Sequence, residues 1–504
     1  MTGWLRRPSV WVFAVLLASY ASFWHARDWN TASRLMLTYS LVDRGTVRLD
    51  GLDKQTGDIA FFEGHYYTDK APGYSFLGVA PYAVCRLAGL KPHPLDREGF
   101  AHWPADYVVT LCVSGLATAA LGALLTSAAS GLFQLGPRRS ALIGLAFGLA
   151  TPAYAYATLA YGHNITGLAL FASFLWIVAG PSGWRRSLAA GASAAFAVVV
   201  EVQSAPVAVV LGTALLVRCL SRGRRWTDLI AFGLGALAPA LLLAAYNLTA
   251  FGKVWDMGYF HHATPRFADV HSAANPLGLS RPDWSKCYEL LIGRYRGLLF
   301  HAPVLWLTVP GWVVLGMRRQ WGLLLVSLAS CLAVFLVNLS YPEWTGGWST
   351  GPRLLVPLLP FAILPVGAFL ALDRRGITFA ALALTLVGAV LMLMDVGVGG
   401  RLPDSLGPVR LNDPFVNVVW PLWRGDPVPR WWIGERFTRT VVSVLAPEWA
   451  RSLPPELTWC GFAPLVAAQL VLVAAMVVFL RPARRQSASS SSTKAPGISP
   501  GRAG

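Results

Sequence analysis

Residues 25–73 read HARDWNTASRLMLTYSLVDRGTVRLDGLDKQTGDIAFFEGHYYTDKAPG and form the first long polar stretch of the chain. The stretch follows an apolar run that ends near Trp24. It holds seven of the protein's 25 carboxylates: Asp28, Asp43, Asp50, Asp53, Asp58, Glu63 and Asp69. Most of the remaining chain is compatible with hydrocarbon, where ionisable groups are costly. Polar chemistry at one face of a membrane is therefore expected in this loop.

The composition indicates a polytopic membrane protein. Of 504 residues, 55% are hydrophobic and 13% are charged, against about 25% charged residues in a typical soluble domain. The net charge of +17 arises from short basic pairs between apolar runs, whereas nucleic-acid-binding proteins carry a basic patch or stripe. We therefore predict no nucleic-acid partner. Six scattered cysteines without a C-x-x-C pair indicate neither a zinc knuckle nor a disulfide framework.

Apolar segments that could span a hydrocarbon core of about 30 Å recur along the chain. The first lies within residues 1–24, after Arg6 and Arg7, and is a transmembrane helix or a signal peptide; without a clear small-x-small cleavage site, the helix is favoured. The others lie at about 105–133, 140–158, 164–180, 187–203, 205–220, 228–249, 297–316, 321–339, 353–372, 377–395 and 463–480. Together they predict an all-α fold of about twelve transmembrane helices, with residues 105–480 as the multi-helix domain.

Basic residues decide the predicted orientation. Arginine pairs or clusters lie near 138, 185, 222, 318, 374 and 484, in alternate connections. Because cytoplasmic loops are enriched in Lys and Arg, we predict that these connections and both termini are cytoplasmic. The predicted external segments are 161–164, 201–203, 250–296, 340–352 and 396–462. Residues 481–504 are rich in Ser, Pro and Gly and are predicted to be a disordered cytoplasmic tail.

Residues 25–104 are predicted to form an external loop with helices along the membrane interface. Residues 31–42 show the apolar spacing of an amphipathic helix. Residues 71–90 are apolar but contain Pro72, Pro81 and Arg86, and a crossing there would invert every later loop. We therefore predict an interfacial helix at 71–90 that returns to the same side, which leaves 91–104 external.

Asp28 lies just past the first helix, and Arg34 follows about two turns later. A carboxylate at the outer interface can act as a general base on a hydroxyl group. The structural alternative is that Asp28 only caps a helix that begins near Asn30. Asp58, in the same loop, is a further candidate for the base.

An acid–lysine pair, Asp69-Lys70, follows Tyr67 and directly precedes Pro72 and Gly73. A lysine at this place can hold a phosphate at the membrane surface, and the N-terminus of the next helix adds backbone donors. The alternative is a lysine that snorkels to the surface and pairs only with its neighbour.

Three further external stretches are predicted to converge on this loop. His163 lies in YGHN at 161–164, Glu201 lies in a short turn, and Trp344 and Arg353 lie in EWTGGWSTGPR at 343–353. Arg353 is a candidate phosphate clamp because a guanidinium group can bind two oxygens. Each of these residues also fits a structural role at a helix boundary.

A metal site is the weaker interpretation of the histidines. His261 and His262 could bind an ion together with Asp69, but adjacent histidines alone are weak evidence. We predict no metal and no other cofactor, although a divalent ion stays a lesser alternative.

The pattern Asp28-Trp29-Asn30-x-x-x-Arg34, followed by Tyr66-Tyr67-x-Asp69-Lys70-x-Pro72-Gly73, resembles the first outer loop of bacterial membrane glycosyltransferases of the GT-C superfamily. These are relatives of the protein O-mannosyltransferases (family 39-like) and the lipid A aminoarabinose transferases. The resemblance covers mainly residues 1–180, with a further match in the segment that ends at Arg353. Those relatives carry an acid after the first Asp, where this chain has Trp29.

The resemblance implies an inverting transferase that uses a polyprenyl-phosphate sugar. We expect it in the bacterial inner membrane, with its active site on the outer face and with a lipid, glycan or protein hydroxyl as acceptor. The predicted catalytic residues are Asp28, Asp69 and His163, the predicted phosphate ligands are Lys70, Arg353 and Arg34, and further candidates are Asp58, Tyr67, Glu201 and Trp344. The alternatives are a flippase or transporter of lipid-linked glycans, which needs ionisable groups near the mid-bilayer, and a noncatalytic assembly subunit.

Overall fold

A computed structural model describes residues 7–91, 103–221, 223–268, 270–406, 409–410, 412–427, 437–454 and 461–480. Its first three helices are α1 Pro8–Ala21, α2 Trp29–Arg44 and α3 Gly73–Leu87. Proline in the first turn of α1 suits a helix start, because the missing N–H has no partner there in any case. The predicted tail 481–504 and most of the predicted external segment 91–104 lie outside the described residues.

Helices occupy every apolar segment predicted from the sequence. The remaining helices are α4 Pro104–Thr110, α5 Leu116–Phe133, α6 Pro137–Leu149, α7 Ala153–Ala157, α8 His163–Phe174, α9 Trp184–Val200, α10 Ala205–Leu220, α11 Trp226–Phe251, α12 Pro265–Ala268, α13 Cys287–Leu291, α14 Leu298–His301, α15 Thr308–Met317, α16 Trp321–Ser340, α17 Leu359–Leu370, α18 Arg375–Gly397, α19 Trp420–Arg424, α20 Val441–Leu445, α21 Pro447–Ser452 and α22 Ala463–Phe479. A π-helical turn over Leu111–Gly115 joins α4 to α5.

Within the part of the chain that the structure describes, six helices are long and apolar enough to cross a bilayer, and four shorter apolar helices accompany them. Helix α11 exposes large apolar side chains such as Ile230, Leu234 and Leu241, which a water-soluble surface rarely does. The chain is thus an all-α, polytopic membrane protein, as predicted. The number of about twelve crossings stays a prediction.

The two helices of the first polar loop differ in their surroundings. Helix α2 is covered on every side, since each residue from Asn30 to Ser40 is buried, so it does not lie on the surface with one face open. Helix α3 contains Pro81 and leaves Val84 and Leu87 exposed near its C-terminal end. An exposed apolar face of this kind suits a helix at the membrane interface.

Short antiparallel strand pairs fix the loops around the helices: β1 Phe23–Trp24 with β6 Arg439–Thr440, β2 Ile59–Phe62 with β3 His65–Thr68, and β4 Ser405–Leu406 with β5 Val409–Arg410. The β2–β3 hairpin turns at Glu63 and Gly64, which both have positive φ. Such a turn matches the twist of its two strands. The hairpin delivers Asp69 and Lys70 immediately after β3.

Three of the arginine-rich connections, near 138, 318 and 374, meet at one end of the helices. Arg139 pairs with Asp373, and Arg318 Nη2 donates to the Ala371 carbonyl at 3.2 Å. The continuous helix Arg353–Leu370 starts at the predicted phosphate clamp and ends beside these contacts, roughly 27 Å away at 1.5 Å per residue. The predicted polar site and the arginine-rich loops therefore lie at opposite ends of one helix.

This separation predicts the outcome of cysteine labelling. In a cysteine-free background, a membrane-impermeant maleimide applied from outside should modify a cysteine at Glu63, in the hairpin turn, because that end of the molecule is predicted to be external. It should modify a cysteine at Arg138 only after permeabilisation. Labelling at position 138 but not at 63 in intact cells would invert the predicted orientation.

Candidate active site

Two adjoining cavities lie where the predicted external segments meet. The larger measures about 500 Å³ and the smaller about 100 Å³. Their shared wall consists of Asn30, Lys70, Tyr161, Tyr259, Tyr341 and Arg353. The larger cavity also reaches Asp28, Asp58 and Asp69, whereas the smaller one reaches Arg34, His163 and Glu201. Most predicted site residues are thus brought together from segments far apart in the chain.

Lys70 lies between two carboxylates. Its Nζ is 3.0 Å from Asp58 Oδ2 and 2.6 Å from Asp69 Oδ2, and all three side chains are mostly buried. Burial raises the pKa of Asp69, but Lys70 and His262 outweigh this effect and hold it well below its ordinary value. Burial lowers the pKa of Lys70, but the two carboxylates raise it by more. Asp69 and Lys70 are therefore both ionised near neutral pH.

The same cluster contains a possible set of metal ligands. Atoms of Asp58, Asp69 and His262 lie within 4.8 Å of one another. However, the ammonium group of Lys70 already contacts both carboxylates, and a divalent cation would have to displace it against charge repulsion. The residues present thus fit a buried lysine better than a divalent ion.

Asp28 both caps a helix and faces the larger cavity, so the two interpretations of this residue are compatible. Its Oδ1 accepts the Thr31 backbone N–H at 2.7 Å, and the Thr31 hydroxyl accepts the Asp28 N–H at 2.8 Å. Its Oδ2 accepts from the Tyr161 hydroxyl at 2.9 Å and lies 3.3 Å from Arg401 Nη1. Burial raises the pKa of Asp28, but Arg401 and these hydrogen bonds outweigh it and lower the pKa below its ordinary value.

The sequence did not single out Arg401 or Tyr161 as functional residues. Arg401 follows Gly399 and Gly400 just after α18, 373 positions along the chain from its partner Asp28. Its place in a predicted external segment was the one available signal, and many other arginines share it. Tyr161 was noted only as a neighbour of His163.

Arg353 and Arg34 both line the smaller cavity. Arg353 Nη1 donates to the Tyr161 hydroxyl at 3.1 Å, and Arg34 donates to Asn30. Gly346 has a φ of +73°, which favours glycine, and a Cβ there would lie 2.8 Å from Arg353 Nε, so a side chain at 346 would displace the arginine side chain. Apolar side chains of Val334, Val337, Leu354 and Pro357 complete the wall.

A buried arginine holds the loop that precedes Arg353. Arg296 is fully buried and donates to the carbonyls of Ser349 at 2.7 Å and Gly347 at 2.8 Å. The Tyr156 hydroxyl donates to the Thr350 carbonyl at 3.0 Å. Three donors therefore fix this glycine-rich loop against the helices.

His163 and Glu201 contact each other at the edge of the smaller cavity. His163 Nδ1 lies 2.6 Å from Glu201 Oε1, and the His163 ring stacks on Tyr161. His163 does not line the larger cavity with Asp28, so the structure places it beside the predicted phosphate ligands.

Two of the candidates from the sequence lie outside both cavities. Tyr67 is buried in an apolar cluster and packs against Phe251, with ring centroids 5.2 Å apart. Trp344 packs under Tyr295 and against the helix core. The structure therefore gives neither side chain a place in the walls of the two cavities.

The comparisons with known proteins concern the fold. No protein-family model matches the chain, and no curated protein matches it. The structure is similar to that of ArnT from Cupriavidus metallidurans bound to undecaprenyl phosphate, with a TM-score of 0.50 and 16% identity over 95% of this chain and 77% of that chain. This likeness confirms the GT-C fold that the first loop implied.

Two further structures are similar at lower scores. The apo state of the same ArnT gives a TM-score of 0.42 and 16% identity, over 94% of this chain and 73% of that chain. The archaeal oligosaccharyltransferase AglB from Archaeoglobus fulgidus, in complex with an inhibitory peptide and a dolichol-phosphate, gives a TM-score of 0.41. The identity is 11%, over 76% of this chain and 55% of that chain.

The lysine cluster predicts a coupled effect on stability. Lys70→Met leaves Asp58 and Asp69 without their cation and should cost about 3–5 kcal/mol, because an unpaired buried charge is expensive. The double variant Asp69→Asn with Lys70→Met also removes one of the two unpaired carboxylates. It should therefore recover part of the lost stability. Thermal unfolding of the purified variants in detergent measures both effects. A single variant as stable as the native protein would show that the cluster contributes little.

Proposed function

We propose that the protein is an inverting membrane glycosyltransferase. It moves a sugar from a polyprenyl-phosphate donor to a hydroxyl group of a lipid, glycan or protein at the outer face of the bacterial inner membrane. The observation that carries this proposal is the convergence of Arg34, Lys70 and Arg353 on one small cavity beside a larger cavity that exposes Asp28.

The smaller cavity has the chemistry of a lipid-phosphate site. Arg34 and Arg353 present guanidinium groups, which suit the oxygens of a phosphate, and Lys70 adds a point charge. The apolar wall of Val334, Val337, Leu354 and Pro357 lies directly beside these cations. A ligand that joins a phosphate to a hydrocarbon chain matches both features.

The larger cavity then receives the sugar and the acceptor. The acceptor oxygen attacks the anomeric carbon, the bond from that carbon to the phosphate oxygen breaks, and Asp28 takes the hydroxyl proton. A single displacement of this kind inverts the anomeric configuration. The polyprenyl phosphate leaves with the bonding electron pair, and the three cations stabilise its charge in a site with little water.

Lys70 supplies a fixed positive charge in the wall shared by the two cavities. Its ammonium is held by Asp58 and Asp69, so it is positioned before the substrate arrives. We therefore propose that the transfer needs no divalent ion. In this scheme Asp69 positions Lys70, and Asp58 shares that role.

The alternatives make different demands on these residues. A flippase of lipid-linked glycans would use the cations, but its transport would not depend on Asp28 as a base. A noncatalytic subunit would need neither the three cations nor the Asp28 carboxylate. The next two experiments separate these possibilities.

Purified protein should bind undecaprenyl phosphate, and Arg353→Met should weaken that binding at least about tenfold, since a hydrogen bond to a charged group is worth roughly 1.5–3 kcal/mol. Titration in nanodiscs, followed by tryptophan fluorescence, measures the affinity. Arg266→Met is the matched control, because Arg266 is an exposed rim arginine paired with Glu343 and should not change binding. Undecaprenol, which lacks the phosphate, should bind weakly to all three proteins. Equal affinities for both lipids would disprove the phosphate site.

Asp28→Asn should lower turnover by about two orders of magnitude or more, because the amide cannot accept the proton. Asparagine caps a helix about as well as aspartate, so protein abundance and binding of undecaprenyl phosphate should be retained. Asp50→Asn, a carboxylate of the same loop that bonds His65 and Tyr66, is the control and should keep its activity. Near-native turnover of the Asp28 variant would leave Asp28 as a cap only.

A further inference from the structure

One hydroxyl group connects the two halves of the site. Tyr161 lies in the turn between α7 and α8, is 1% exposed and belongs to the wall shared by both cavities. Its oxygen is 2.9 Å from Asp28 Oδ2 and 3.1 Å from Arg353 Nη1. It is therefore bonded both to the proposed base and to the proposed phosphate clamp.

The direction of these hydrogen bonds is fixed by chemistry. A guanidinium group only donates, so the Tyr161 oxygen accepts from Arg353. An ionised carboxylate only accepts, so the single hydroxyl proton of Tyr161 points to Asp28. The chain of donation runs from Arg353 through Tyr161 to Asp28.

The tyrosine ring is held in place from several sides. The guanidinium carbons of Arg34 and Arg353 lie 5.6 and 5.2 Å from its centroid. The rings of His163 and Tyr156 pack against it at 5.5 and 5.3 Å. The charged or titratable groups that face Tyr161 and Asp28 are thus Arg34, Tyr156, His163, Arg353 and Arg401.

We propose that Tyr161 couples occupancy of the phosphate site to the proton affinity of Asp28. Hydrogen bonds in a chain strengthen one another in a medium of low dielectric constant. While Arg353 donates to the tyrosine oxygen, the hydroxyl is a stronger donor and stabilises ionised Asp28. A phosphate that binds Arg353 competes for its N–H groups and neutralises its charge, so the hydroxyl becomes a weaker donor and Asp28 a stronger base.

This inference rests on the proposed function and gives it an order of events. Asp28 accepts the acceptor's proton readily only once the donor phosphate is in place. Tyr161 is a positioning residue in this scheme, since it acts through Asp28 and exchanges no proton with the substrate.

Infrared difference spectroscopy of the full-length protein in nanodiscs tests the coupling. The Asp28 carboxyl band is identified by its absence in Asp28→Asn, and its titration midpoint is measured with and without undecaprenyl phosphate. In the native protein the lipid should raise the midpoint by about one pH unit, because the Tyr161 hydrogen bond to the carboxylate weakens and the phosphate adds a negative charge nearby.

Tyr161→Phe should reduce this shift by half or more, while the direct repulsion between the phosphate and Asp28 persists in the variant. Tyr67→Phe also deletes one buried hydroxyl but lies outside both cavities, and should retain the native shift. Equal shifts in the native protein and in Tyr161→Phe would overturn the coupling and leave the proposed function intact. A native protein that binds no undecaprenyl phosphate would overturn both.

Arg353→Met provides a second test that keeps the tyrosine ring. Without the Arg353 guanidinium, the titration midpoint of Asp28 in the absence of lipid should already lie near the lipid-bound value of the native protein. An unchanged midpoint in this variant would also overturn the coupling.

Discussion

The site depends on the pairing of Lys70 with Asp58 and Asp69. Three charged side chains lie at low exposure, and each would be costly there alone. Their partners come from separate elements: Ser33 of α2 donates to Asp69 at 3.1 Å, and His262 lies 3.4 Å from the same carboxylate. The loop of His262 approaches so closely that a Cβ on Gly258 would lie 2.3 Å from the Thr68 carbonyl oxygen. These ion pairs and hydrogen bonds therefore hold α2, the hairpin and the loop of His262 together.

The two ends of the helices carry different charged groups. Arginine-rich connections contact one another beside Ala371 and Asp373, whereas the cavities open at the other end of the helix that begins with Arg353. Hydrocarbon-compatible segments between these ends leave few places where charged substrates could be held. The proposed transfer at one membrane face follows from that restriction.

How far the sequence could predict the site depended on the distance between partners. The acid–lysine pair and Arg353 were found because a carboxylate beside a lysine, or an arginine at the start of a crossing helix, is visible locally. The position of Tyr67 outside the cavities could not be predicted, because the strand period does not show which face of a hairpin meets Phe251. Arg401 could not be found, since its meeting with Asp28 requires the helices to be assembled first.

The proposed catalytic role of Asp28 does not compete with its structural role. A carboxylate has two oxygens, and at Asp28 one accepts from the backbone of α2 while the other faces Tyr161, Arg401 and the cavity. In a site with little water, a charge must have partners before the substrate arrives. In the proposed transfer, the substrate replaces some of those partners, which reduces the net binding energy but leaves the remaining donors already oriented. Capping by Oδ1 keeps Asp28 in place while the partners of Oδ2 change.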